Sequence, residues 1–122
     1  MLNKLFLVFI GGGIGSIFRY GTNSILNFYV IGPLGTLFVN VLGSFMFGIL
    51  VSIGEDRSDY FNLFLLTGLL GGFTTFSQFS YDVVTLQNNG TLYSIIYILS
   101  SVLLSISMAL LGIYIANKYI NN

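Results

Sequence analysis

The sequence predicts an all-α membrane protein of four transmembrane helices, the third broken mid-membrane. Two observations set the class. Only 7% of the 122 residues are charged while 55% are hydrophobic. A soluble domain carries about 25% charged residues, and a surface so poor in charge does not stay dissolved. The apolar stretches are also long enough, since a spanning helix takes about 20 mostly apolar residues to cross about 30 Å of hydrocarbon. The chain therefore holds a single membrane domain with short loops and no soluble part. Four thin helices enclose a pore poorly, so an oligomer is expected.

The composition also excludes chemistry. There is no Cys and no His, which removes disulfides, thiol chemistry, His-ligated metals and His acid/base catalysis. With a formal net charge of +0 there is no basic face for nucleic acid. No nucleophile–base pair or metal-ligand set is present, so an enzyme is not expected. The apolar run behind Lys4 resembles a signal peptide, but no A-x-A-like cleavage site follows it. It is read as the first span.

That span covers residues 2–26. Gly11 and Gly15 form a G-x-x-x-G pair, echoed by Gly12 and Ser16. Small residues four apart share a helix face and let another backbone approach, so tight packing is the expected role. Pro33 suits the start of the second helix, which spans 34–53. Glu55, Asp56, Arg57 and Asp59 then form the most charged and water-exposed loop. The third span covers 60–84. Its centre reads Gly71-Gly72-Phe73-Thr74-Thr75-Phe76-Ser77-Gln78-Phe79-Ser80. Adjacent glycines and β-branched threonines weaken a helix. A break at membrane depth is tolerable only where the freed carbonyls face protein, water or an ion. After the turn Gln87-Asn88-Asn89-Gly90, the fourth span covers 92–116. No internal repeat is visible, so any two-fold symmetry must come from a second chain. With alternating helices, Lys4, Arg57 and Lys118 share one side and Arg19 lies toward the other. This small bias permits insertion in either orientation.

Polar residues within spans are costly and mark candidate sites. Thr36, Asn40 and Ser44 recur every four residues along one face of the second helix. Tyr97, Ser101 and Ser105 repeat the spacing on the fourth. Each stripe has a bland reading: an interhelical amide bond for Asn40, and serines bonded back to their own helix. Two such stripes on separate helices fit a wet path better. Phe76 and Phe79, with Ser80 beside them, follow the break directly. Phenyl edges carry partial positive charge and can touch an anion without trapping it. The stripes are neutral and rich in donors, and Asp82 stands only near the end of the third span. A small anion sheds water only for replacement donors, and weak multi-site binding lets it leave. The residues thus suggest a passive anion path without naming the ion.

Gly12-Gly13-Ile14-Gly15-Ser16 with Arg19-Tyr20, Gly35-Thr36-Leu37-Phe38-Val39-Asn40 with Gly43-Ser44, and the third-span motif Gly71 to Ser80 together resemble the CrcB/Fluc fluoride channel family. The resemblance covers essentially the whole chain, and the third-span motif is the specific part. It implies a dual-topology channel of two antiparallel four-helix subunits in the bacterial plasma (inner) membrane, carrying fluoride out of the cell through two pores. The partner is a second copy or a homologous sister chain. The resemblance further implies a structural Na⁺ ion held by the backbone carbonyls of Gly71 and Thr74. By the same resemblance, Phe76 and Phe79 contact fluoride, with Ser80 and Thr36 beside the path. Asn40 is the pore amide, Tyr97, Ser101 and Ser105 the polar track, and Arg19 the arginine near the entrance. Two departures stand out: Gln78, where a smaller residue such as Thr is more familiar, and Asp82, where Glu is expected. The alternatives are a small dual-topology cation or multidrug transporter, which lacks its central carboxylate here, and a structural membrane subunit, which leaves the polar stripes unexplained.

Overall fold

The computed structural model describes residues 1–29, 32–54 and 57–120, and every regular element among them is helical. Glu55 and Asp56, the acidic half of the expected loop, lie outside the described residues. Helix α1 is Leu2–Tyr29 and α2 is Pro33–Gly54, with Pro33 at its first position. The third segment is composite. A short α3, Asp59–Asn62, runs into a π-helical stretch, Leu63–Leu70, and then α4, Gly71–Phe73. Thr74 and Thr75 are extended, after which α5 runs Phe76–Gln87. Gly90, at φ 131°, makes the turn into α6, Thr91–Tyr119, in backbone space that suits glycine. Four stretches among the described residues are long and apolar enough to cross a membrane: Leu2–Leu26, Pro33–Gly54, Asp59–Gln87 and Thr91–Tyr119.

The packing is inside-out by the standards of a soluble protein. Large apolar residues face outward all round, among them Phe6, Phe9, Ile17, Phe28, Leu103 and Leu110. The buried positions are mostly small or polar: Gly35, Thr36, Gly43, Gly48 and Ser52 on α2, and Ser94, Ser101, Gly112 and Ala116 on α6. Helices in lipid gain nothing by hiding Leu from Leu-like solvent, so close backbone approach drives their association instead. Two glycine seams do this work. Helix α2 packs against α6 where a Cβ on Gly48 would strike the Ala109 carbonyl and one on Gly112 the Phe45 carbonyl. Helix α1 packs against the π stretch and α4, where Gly11 and Gly15 face the Phe64 and Leu69 carbonyls and Gly72 faces Gly12. The packing role expected of the first-span glycines holds.

Of the two glycines and two threonines expected to weaken the third helix, only the threonines leave it. Gly71 and Gly72 remain helical, and Gly72 serves the α1 seam. The backbone departs from helix at the two threonines, whose β-branched side chains favour extended geometry.

Candidate functional site

Thr74, with ψ 158°, and Thr75, with φ −152° and ψ 119°, open the backbone between α4 and α5. Groups freed in this way need new partners, and Asn40 on α2 supplies them. Its Oδ1 accepts the Thr75 N–H at 2.8 Å, and its Nδ2 donates to the Thr75 carbonyl at 3.0 Å. This two-point pairing satisfies both backbone polar groups of Thr75 with one side chain. The Thr75 Oγ1 in turn accepts the Gln78 N–H at 3.1 Å, capping α5, and lies 3.2 Å from Ser77 Oγ. Thr74 Oγ1 donates to the Leu70 carbonyl at 2.9 Å. Replacing Thr75 with Val removes the cap while keeping the shape. The expected cost is about 1 kcal/mol, read as a lower thermal midpoint of the purified protein in detergent.

These bonds redirect two carbonyls. The Thr75 N–H, which would close a helical turn onto Gly71, goes to Asn40; the Gln78 N–H, which would turn onto Thr74, goes to the Thr75 hydroxyl. The Gly71 and Thr74 oxygens therefore lie outside the helical ladder. Gly71 is also exposed, within reach of a group beyond this chain.

Two cavities flank the break, and Thr75 lines both. The first, of about 360 Å³, brings together α2, α5 and α6. Its polar wall is Asn40, Ser44, Thr74, Thr75, Ser101 and Ser105, and its apolar wall includes Phe76, Phe79 and Ile106. Among the described residues, no charged side chain lines it. Phe76 is 78% exposed, so the cavity is a groove open to whatever lies against the chain. The Phe76 and Phe79 rings are tilted at 43° with centroids 5.4 Å apart, and Phe79 lies 5.6 Å from the Tyr97 ring. The second cavity, of about 420 Å³, is lined by Ser16, Arg19, Tyr20, Asn23, Ser24, Thr75, Ser77 and Gln78. Arg19 is the only charged residue lining it among the described residues.

The remaining expected residues fall elsewhere. Ser80 Oγ bonds back to the Phe76 carbonyl at 2.9 Å, the self-bonding common for serine in membrane helices. Thr36 is buried at 2% exposure and lines neither cavity. Tyr97 is buried too, and its hydroxyl donates to Asp82 Oδ2 at 3.2 Å. The other Asp82 oxygen accepts from Gln78 Nε2 at 2.9 Å. Sequence reading left three of these participants out of the site: Thr75, Gln78 and Asp82. The signal for the last two was their i, i+4 spacing, which places them on one helix face. For Thr75 no signal separated it from Thr74.

The family model for CrcB-like protein, Camphor Resistance (CrcB), matches residues 6–113. A relative from Gloeothece citriformis, described as "Fluoride-specific ion channel FluC", is 41% identical over 120 residues, covering 94% of this chain and 98% of the relative. Relatives with the same description come from Agrobacterium fabrum, 46% identical with 88% and 90% covered, and Pyrococcus abyssi, 38% identical with 96% and 98% covered.

Proposed function

The chain belongs to the CrcB family, and from that premise we propose that it is a fluoride-specific ion channel that carries fluoride passively out of the cell. It is a multi-pass membrane protein and not an enzyme. Neutral hydrogen fluoride crosses membranes, then ionises and is trapped inside, and a channel lets the ion leave down its gradient. The observation that carries the reading is the uncharged groove of the first cavity. Its hydroxyls and amide offer replacement donors, while the Phe76 and Phe79 edges add weak positive potential. Many weak contacts suit an ion that must enter and leave.

One chain supplies only one wall of that groove, since Phe76, Val102 and Ile106 stand exposed along it. The proposed channel is a dimer, of two copies or of this chain with a homologous sister chain, in antiparallel orientation. The slight charge bias between the two ends supports that arrangement. The proposed location is the bacterial plasma membrane. In such a dimer the interruption at Thr74 and Thr75 falls mid-membrane. Arg19, in the second cavity, is the proposed attractor at the entrance.

The Gly71 and Thr74 carbonyls fit the proposed Na⁺ ion. Both are released from the helical ladder by the Asn40 and Thr75 bonds, and neutral carbonyl oxygens suit a hard cation. The bound ion would supply positive charge near the anion path. Replacing Na⁺ with a large organic cation throughout purification should lower the dimer's thermal midpoint and slow fluoride flux. An unchanged midpoint would remove these two carbonyls from the proposal.

A buried carboxylate, Asp82, is the one feature favouring a cation transporter. Both its oxygens are held by neutral donors, and it lines neither cavity, so it is not offered to a passing cation.

The reading is tested in a bacterium stripped of its own fluoride exporters. Expression of this chain should restore growth in fluoride-containing medium. Phe79→Ile keeps the bulk but loses the ring edge and should restore growth poorly. Growth no better than with an empty vector, despite membrane expression of this chain and a homologous partner, would overturn it.

A further inference from the structure

We propose that Asn23 is an anion-solvating residue of the Arg19 cavity, its side-chain N–H groups replacing water around fluoride before the ion reaches the groove. This inference rests on the channel reading above. Every residue lining that cavity carries a polar side chain, in contrast to the part-apolar groove. Helix α1 supplies most of them, and Arg19 and Asn23 stand four apart on one of its faces. Among the described residues Arg19 has no ion-pair partner, so its charge is left to attract anions. Attraction alone does not dehydrate an ion. A fixed donor beside the charge does, by taking the place of a water.

The setting of the Asn23 amide carries the argument. Its Oδ1 is fully buried and accepts no hydrogen bond among the described residues. The residue as a whole is only part-buried, and it lines the cavity. The oxygen is thus turned into the wall, and what the amide offers to the cavity is Nδ2 with its two donors. A half-turn of the amide would bury those donors instead and aim a lone pair at a passing anion. In either setting one end goes unpaired within the chain, so the amide is not kept for bonds that hold the fold. Asn40 shows the contrast, with both ends of its amide bonded to Thr75. A buried polar atom left without a partner costs stability, and such exceptions call for a role outside the fold itself. A donor pair beside an unpaired arginine, in a wholly polar cavity, is such a role.

The test measures fluoride efflux from liposomes over a range of fluoride concentrations, beside the thermal midpoint of the same purified proteins. Asn23→Leu removes the donors and the unpaired oxygen together at similar volume. The half-saturating fluoride concentration should rise about ten-fold, the size of one lost hydrogen bond to an ion. The midpoint should hold or rise, because the unpaired buried acceptor is gone. A purely structural Asn23 predicts the opposite pair of results, a lowered midpoint with an unchanged half-saturating concentration, and that pair would overturn the proposal. Asn23→Asp keeps the shape and exchanges Nδ2 for a carboxylate oxygen beside Arg19, so it should raise the half-saturating concentration further. Asn23→Gln keeps both donors and should recover part of the loss seen in Asn23→Leu. An Asn23→Asp protein with the wild-type half-saturating concentration would overturn the proposal even where Asn23→Leu does not fold. A wild-type chain that moves no fluoride would instead defeat the channel reading itself.

Discussion

Asn40→Asp is expected to abolish fluoride efflux, with a fall of at least about 100-fold. Two losses combine. The Thr75 carbonyl now bonded by Asn40 Nδ2 at 3.0 Å would face an oxygen instead of a donor, and an orphaned, part-buried carbonyl costs about 1–3 kcal/mol. The new charge would also stand in the wall of an otherwise uncharged groove. Against an anion about 4 Å away at an effective dielectric near 20, one negative charge raises the energy by about 4 kcal/mol. Fluoride-electrode traces from reconstituted Asn40→Asp protein measure this. A rate within a few-fold of the original would show that Asn40 neither lines the path nor holds it open.

Gly15→Val should prevent a stable fold. A Cβ there would overlap the Leu69 carbonyl oxygen and lie 2.9 Å from Phe73 N. Those atoms are backbone and cannot swing aside as a flexible side chain would. Helix α1 must then separate from the π stretch and α4, losing much of its packing on the third segment. Overpacking of this kind costs about 1–3 kcal/mol where neighbours yield, and more where they cannot. The expected result is loss of the monodisperse peak in detergent, or a thermal midpoint lowered well beyond that of Thr75→Val. Gly13→Ala is the control. A Cβ at Gly13 meets nothing within 4 Å, and alanine gains about 0.5–1 kcal/mol over glycine within a helix, so its midpoint should hold or rise.

The contrast between Gly15 and Gly13 shows how far sequence reasoning carries. Spacing placed Gly11 and Gly15 on one face and foresaw close packing there, because a helix repeat is local and periodic. It could not tell which helix would meet that face. The same limit appears along α2. Thr36, Asn40 and Ser44 share a stripe, yet Thr36 is buried away from the groove, Asn40 pairs with the Thr75 peptide, and Ser44 lines the cavity. On α6, Tyr97 matches the spacing of Ser101 and Ser105 but turns its hydroxyl to Asp82. Periodicity fixes a face, while the partner across it is a tertiary fact. The glycines of the third span misled for a related reason. Gly71 and Gly72 suggested weakness in the helix, but the α1 seam uses Gly72 for close approach and the chain opens at the threonines.

The central claim is that this chain builds a fluoride-selective path, and the most direct measurement is efflux from liposomes holding the purified protein. Vesicles loaded with fluoride and chloride are followed with an electrode for each ion. The account predicts rapid fluoride release with chloride retained, by this chain alone or together with a homologous sister chain. Equal release of both ions, or no fluoride release even with the sister chain present, would contradict it.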